Sequence, residues 1–183
     1  YELGVRQKIG DRLQWSGAVF YNDIDDAFDF FIVTIENAAE SHTLGVELQG
    51  TCALGHGFEA TADFSYTEGE IDRHLNPALH GNTIANLAPV KAGAGLAWRN
   101  ERQSHGISFR FEDERYADGA NTAMLDRHWT VDWNSRFTVT DALAVTLSVG
   151  NVFNEDYRVY DHISAAGYPA AGRRVMVGVE GKF

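Results

Sequence analysis

The chain is poor in the residues that staple, kink or anchor a fold. Of its 183 residues only one is cysteine, Cys52, three are proline and two are methionine. A single cysteine excludes an internal disulfide and cannot build a zinc site alone. No run of about 18 apolar residues occurs, which excludes a membrane-crossing helix. Lys and Arg number 15 against 26 Asp and Glu, for a formal net charge of −11. The basic residues form no cluster, so the electrostatic footprint of a nucleic-acid partner is missing. The opening YELGVRQKIG is already strand-like and holds no signal-peptide core. The chain starts on Tyr1 rather than Met, which reads as a piece cut from a longer protein.

What is present leans to β structure. Hydrophobic residues make up 44% and aromatics 12%, with 11 Phe, 7 Tyr and 18 Gly. That is too apolar for a disordered chain, and aromatics with frequent glycine suit strands and tight turns.

The strongest signal is a period of two, the mark of a strand. It is sharpest in the closing VMVGVEGKF, where Val175, Val177, Val179, Gly181 and Phe183 fall on one side and Arg174, Met176, Gly178, Glu180 and Lys182 on the other. Nine such segments can be counted along the chain. Within 143–150, Leu143, Val145, Leu147 and Val149 share a face. Within 128–137, Trp129, Val131, Trp133 and Phe137 oppose His128, Thr130, Asp132, Asn134 and Arg136. Within 103–116, Ile107, Phe109 and Phe111 oppose Ser108, Arg110, Glu112 and Glu114. Within 89–99, Val90, Ala92, Ala94, Leu96 and Trp98 oppose Lys91, Gly93, Gly95, Ala97 and Arg99. Segments 58–67, 43–54 and 13–22 repeat the pattern, with Phe20 breaking the polar side of the last. A weaker run opens the chain with Leu3, Val5 and Ile9. Short connections near 10–11, 55–57, 100–102 and 140–141 alternate with long ones at about 23–40, 71–88, 117–127 and 151–172. The expected fold is therefore all-β, an antiparallel up-and-down meander.

A soluble β-sandwich and a membrane barrel both alternate, the first with its apolar face inward and the second with it toward lipid. Three features favour the barrel. The segments run to about ten residues, the length a tilted strand needs to cross a bilayer. Charges sit well inside the polar faces, at Glu47, Glu59, Asp63, Lys91, Arg110, Asp132 and Arg136. Short turns at one end and long loops at the other match outer-membrane barrels. Trp98, Trp129, Tyr66 and Phe183 near strand ends suit interfacial girdles. Bacterial single-chain barrels have even strand numbers, so nine segments predict further strands upstream.

The stretch GNVFNEDYRVYDHISAAGYPAAGRRVMVGVEGKF, residues 150–183, resembles the C-terminal end of TonB-dependent outer-membrane receptors. Asn151, Val152, Phe153, Asn154 and Tyr157 match the first half of that family's last hairpin. Pro169, Gly172 and Arg173 match the turn before its closing strand, with two alanines inserted between Pro and Gly. AVFYNDIDD (18–26) and HTLGVELQGTCAL (42–54) look like internal strands of the same family. The resemblance implies a plugged barrel of about 22 strands, of which residues 1–183 would be the C-terminal part, its last nine strands, with the plug and earlier strands absent. It implies uptake of a scarce nutrient, an iron-siderophore first, energised through TonB acting on the missing plug. The ligand would bind the four long loops. Val175, Val177, Val179 and Phe183 would be the signal that barrel-assembly machinery reads. Outer-membrane lipid, the TonB complex and a small ligand such as a ferric siderophore would be the partners, in the outer membrane of a Gram-negative bacterium. No cofactor, metal centre or catalytic residue is implied.

Other readings attach to particular residues. Asp23, Asp25, Asp26 and Asp29 cluster in one expected outer loop, but lack the Gly turn and Glu of a calcium loop and read as solvated charge. His74 and His80 share a loop with Asp72, without metalloenzyme spacing. His162 and Ser164 share the last loop without an acid partner to make a triad. Lumen charges such as Arg110, Glu112, Asp132 and Arg136 are expected to pair with one another and with the plug. Three whole-chain alternatives remain: a complete outer-membrane barrel of about eight to ten strands with a structural or adhesive role, an enzyme in such a barrel, and a soluble acidic sandwich.

Overall fold

The computed structural model describes residues 1–31, 34–159 and 166–182, and the backbone alone for 26–31 and 34–39. Nine strands build one antiparallel ladder: β1 (Glu2–Ile9), β2 (Leu13–Phe31), β3 (Thr34–Gly55), β4 (Phe58–His74), β5 (Val90–Arg99), β6 (Gln103–Glu112), β9 (His128–Thr140), β10 (Leu143–Gly150) and β13 (Arg174–Gly181). Each pairs with its neighbour in sequence, and β1 and β13 are the two edges. Two small hairpins stand outside the ladder, β7 (Arg115–Tyr116) with β8 (Met124–Leu125), and β11 (Arg158–Val159) with β12 (Tyr168–Pro169). Among the described residues there is no α-helix, only a 3-10 turn at Pro77–Leu79.

Register carries the alternation from strand to strand. Leu147 lies opposite Val177, Val149 opposite both Val175 and Trp133, and Ile107 opposite both Leu96 and Trp133. Every apolar stripe therefore lands on the same side of the ladder, as a fixed two-residue period requires. That side is bare: Val175, Val177 and Val179 are 61–71% exposed, and Leu48, Phe64, Leu96 and Trp133 are exposed with them. Among the described residues the buried hydrophobics are only Ala88, Ala117, Leu125 and Ala144. The chain exposes 12460 Å², whereas a compact soluble protein of 20.3 kDa exposes about 8,800 Å². A sandwich would hide these residues between two sheets, and among the described residues no second sheet covers them. The soluble alternative is excluded, and so is a closed barrel of this chain alone, because the two edge strands pair on one side only.

The structure departs from the sequence reading mainly at the outer ends. The segment expected to run as one strand over 103–116 ends at Glu112. The Asp113 amide still reaches Val90 O, and the chain then leaves the ladder to form β7. The loop expected at about 23–40 is largely strand, with β2 running to Phe31 and β3 starting at Thr34, while the loop expected at about 71–88 begins only after β4 ends at His74. Ladder pairing holds as far as Phe31 with Thr34 and Ala39 with His74. Above the bilayer neither face needs to be apolar, so the period vanishes from the sequence while the backbone goes on pairing. The loops expected at about 117–127 and 151–172 contain β8 and the hairpin β11–β12. Strand length is also less uniform than expected, from 8 residues in β1, β10 and β13 to 22 in β3.

Phe20, the exception on the polar side of β2, is explained by its partner. It lies opposite Gly45, and a Cβ on Gly45 would stand 2.5 Å from the Phe20 ring. The ring occupies the space that a side chain at Gly45 would fill.

Candidate functional site

Aromatic residues mark two levels on the apolar side. At the short-turn end, Phe58 packs on Trp98, Trp98 stacks on His105 at 5.6 Å between centroids, and His105 meets Phe137 edge-on at 5.1 Å. At the long-loop end, Phe109 stacks on Trp129, Phe153 tilts against Trp129 at 5.5 Å, and Tyr66 and Tyr21 continue the row. Phe58 and Tyr66 are eight positions apart on β4, as are Trp129 and Phe137 on β9. Eight steps of about 3.4 Å span ~27 Å along a strand, or ~20 Å across a bilayer at a tilt of about 40°. With the rings at either end this suits an apolar band about 25 Å tall.

The opposite side is polar, and several of its charges are paired. Arg110 of β6 bonds Asp132 of β9. Arg136 reaches across β10 to Glu180 of β13, its Nη2 donating at 3.1 Å and its Nε at 3.2 Å. Of the pairing expected among Arg110, Glu112, Asp132 and Arg136, the structure shows Arg110 with Asp132, while Arg136 pairs with Glu180 and Glu112 has other partners. A row of ion pairs of this kind on facing strands is what a polar barrel interior holds.

At the outer rim of that side the side chains converge. Glu112 is shared by Lys91 Nζ at 3.6 Å, Arg115 Nη1 at 3.5 Å and His128 Nε2 at 3.8 Å. Arg115 is buried, its side chain 4% exposed. Its Nε donates to Asn86 Oδ1 at 2.9 Å, and its Nη1 makes no hydrogen bond and relies on Glu112 for compensation. His128 stacks on Tyr157, with centroids 4.0 Å apart and planes 9° from parallel. The rim therefore offers one carboxylate held by three cationic or titratable partners, beside an aromatic pair. Sequence reasoning did not single out Lys91, Arg115 or His128 as a group. Alternation puts Lys91, Glu112 and His128 on one side, and only the register, with Lys91 opposite Glu112 and Glu112 opposite His128, brings them into a row.

The last-hairpin motif has visible structural roles. Asn151 and Asn154 sit in the left-handed region at φ 51° and 57°, where asparagine is tolerated. Asn151 is 6% exposed. Its amide donates to Asp132 Oδ1, its Nδ2 donates to Glu155 O, and its Oδ1 accepts from Glu155 N, each at 2.8 Å. Asn154 Oδ1 accepts from the Arg173 amide at 2.9 Å and lies over Gly172, tying the start of the last loop to its end. Tyr157 O accepts from Ala170 N, next to Pro169 of β12. Phe153 points to the apolar side, and Tyr157 to the rim.

The remaining candidates disperse. His74 Nδ1 accepts from the Asn76 amide and His80 Nε2 bonds His74 O, both at 2.9 Å, so each imidazole has a nitrogen committed within its own loop. Among the described residues no three His, Cys, Asp or Glu side chains converge to hold a metal ion. Asp23 and Asp25 are exposed, and the side chains of Asp26 and Asp29 lie outside the described residues, as do His162, Ser164 and Phe183. Above the aromatic row, Asp23 pairs in the ladder with His42 and His42 with Glu70. His42 Nδ1 bonds the Asp72 carboxylate at 2.8 Å, which raises its pKa against the smaller opposing effect of desolvation. In the loop after β7, desolvation works to raise the Asp118 pKa. Hydrogen bonds from the Thr122 hydroxyl and the Thr122 and Ala123 amides outweigh it, and the carboxyl lies below its ordinary value.

An apolar sheet side of this extent is stable only against hydrocarbon, and an ion-paired side opposite it only against water or a polar plug. The class that combines the two is the outer-membrane β-barrel, of which this ladder is a length of wall. Residues 1–154 match the family model described as TonB dependent receptor-like, beta-barrel, and the chain belongs to that family, whose members lie in the outer membrane of Gram-negative bacteria. It is 23% identical over 188 aligned positions to a pesticin receptor of Yersinia enterocolitica, covering 97% of this chain and 28% of that receptor. It is 23% identical to a ferric-pyoverdine BN7/BN8 receptor of Pseudomonas putida, covering 100% of this chain and 22% of that one. The crystal structure of the ferric yersiniabactin uptake receptor FyuA from Yersinia pestis superposes with a TM-score of 0.85 at 22% identity, over 100% of this chain and 29% of that chain. This last likeness is one of fold. The chain spans less than a third of the length of the curated relatives it matches. The family is one of receptors and transporters, not an enzyme class.

Proposed function

We propose that residues 1–183 are the C-terminal part of the barrel of an outer-membrane receptor that takes up a scarce nutrient, a ferric siderophore first, with energy delivered through TonB to a plug that this stretch does not contain. The observation that carries this reading is the two-sided ladder, exposed and apolar on one side and ion-paired on the other, matched over its length to receptors whose names specify ferric siderophores. The ligand meets the outer loops, and the rim formed by Lys91, Glu112, Arg115, His128 and Tyr157 lies on the wall beneath them. The closing strand, with Val175, Val177 and Val179 toward lipid and Phe183 last, serves as the segment that barrel-assembly machinery reads.

The test is uptake of radioiron-labelled siderophores, labelled cobalamin and labelled haem by cells carrying or lacking the full gene, each with and without a working TonB complex. The expected result is gene-dependent iron accumulation that disappears without TonB. Accumulation of cobalamin or haem instead would keep the transporter and replace its ligand, and no TonB-dependent uptake of any of them would overturn the reading. Deleting Phe183 from the full gene is expected to reduce the amount of assembled receptor in the outer membrane. Unchanged assembly would remove the closing residue from the signal.

A further inference from the structure

The buried hydrophobics of this chain are concentrated in an unusual place. Ala88, Ala117 and Leu125, three of the four among the described residues, lie in or beside the outer loops rather than in the wall. Ala88 belongs to the loop after β4, and Ala117 and Leu125 to the hairpin β7–β8 beside it. Five hydrogen bonds join the two. Asn82 Nδ2 donates to Gly119 O at 2.8 Å, Thr83 N to Asn121 Oδ1 at 2.8 Å, and Asn121 Nδ2 to Thr83 O at 2.9 Å. Asn86 N donates to Tyr116 O at 2.8 Å, and Arg115 Nε to Asn86 Oδ1 at 2.9 Å. Asn86 and Asn121 both hold left-handed backbone, at φ 60° and 57°, so the conformation of each loop is set by the residue that reaches into the other.

The assembly is also fastened to the wall. Ile84 N donates to Gly69 O and Ile71 N to Asn82 O, and the side chains of Ile84 and Leu87 cover Gly69. Arg115 sends its guanidinium down to Glu112. A free surface loop has almost no stability against local opening. Here opening one loop strands polar atoms of the other, among them the Thr83 amide and the Asn86 side chain.

We propose that residues 77–88 and 115–125 form one cooperative, preassembled ledge that opens and closes as a unit and stays fixed as the rest of the outer surface responds to ligand. The ledge makes one side of the ligand vestibule a rigid wall. Its role there rests on the uptake reading, but its existence as a unit does not.

The test is amide hydrogen exchange on the full-length receptor in phospholipid nanodiscs, read separately over 80–88 and 115–124. Asn121→Gly keeps the left-handed backbone and removes the side chain from one loop, and Asn82→Ala removes a donor from the other. Each is expected to accelerate exchange in both segments by a similar factor, roughly five- to thirty-fold for one or two lost hydrogen bonds. Acceleration confined to the substituted loop would overturn the proposal. A second measurement leaves the contacts intact. Spin labels on Ala78→Cys and Ala120→Cys, both exposed positions, in a Cys52→Ser background, should give one narrow distance distribution in pulsed electron resonance. A broad or two-peaked distribution would also overturn the proposal. Neither measurement uses a transported ligand, so a failure of the ledge and a failure of the uptake reading are told apart.

Discussion

At the scale of single residues, the motif NVFN is explained by backbone geometry and hydrogen bonds. Asn151 is required for its left-handed backbone and its two bonds to the Glu155 peptide, in a position too buried for water to substitute. Asn151→Ala loses both bonds and places a Cβ-bearing residue without a local partner in that region. The expected cost is about 2–3 kcal/mol, read as a lowered unfolding midpoint of the full receptor in detergent. His42 gives a second prediction. Its bond to Asp72 favours the protonated ring, so the folded pKa lies above the ordinary 6.5. The stabilisation is fully present below that ordinary value and is lost as pH rises through the raised folded value. The proton resonance of the His42 ring should titrate above the ordinary histidine value, and Asp72→Asn should lower its midpoint. A midpoint unmoved by Asp72→Asn would show that the pair does not form.

At the scale of strands, face and crowding decide what a position tolerates. Gly45 and Gly50 lie on the same strand, five positions apart and therefore on opposite sides. A Cβ at Gly45 would fall 2.5 Å from Tyr66 O and from the Phe20 ring, whereas at Gly50 it would meet nothing closer than 3.7 Å. The Tyr66 oxygen belongs to the backbone of β4 and cannot rotate away. Gly45→Ala should cost about 1–3 kcal/mol and reduce the heat-modifiable, assembled form on gels, while Gly50→Ala should leave it unchanged. The faces of the strands were legible from period two alone, and the nine segments found that way are the nine strands of the ladder. The outer ends were not legible: at Asp23 and Asp25 the side that carries Leu13, Trp15, Val19 and Tyr21 turns acidic, which reads as a loop, yet the strand continues to Phe31. The rim cluster was missed for a related reason. Alternation assigns a side but not a height, and Lys91, Glu112 and His128 become neighbours only through the register of three strands.

At the scale of the whole molecule, the governing fact is that the ladder has two edges and a bare apolar side. Both are satisfied only when the rest of the barrel closes against β1 and β13 and lipid covers the outside. Val177 is central to that outward side, opposite Leu147 and 71% exposed. Val177→Arg in the full receptor should destabilise it by about 2–4 kcal/mol in lipid vesicles, measured by denaturant unfolding. A substitution without effect would mean that this side does not meet hydrocarbon. On the inner side of the wall, by contrast, Arg110 is compensated by Asp132 and Arg136 by Glu180, so these four charges meet water or a polar plug already paired.

The sequence by itself determined the class of structure, the number of strands in the wall and the side of each of their residues, because a strand's side chains alternate whatever the strand pairs with, and lipid and water impose opposite chemistry on the two sides. It did not determine where the strands stop, which charges meet, or that two outer loops are built as one ledge. Those depend on register and on contacts between segments about 30 to 40 residues apart. Such contacts leave no period in the chain, and only the folded ladder brings them together.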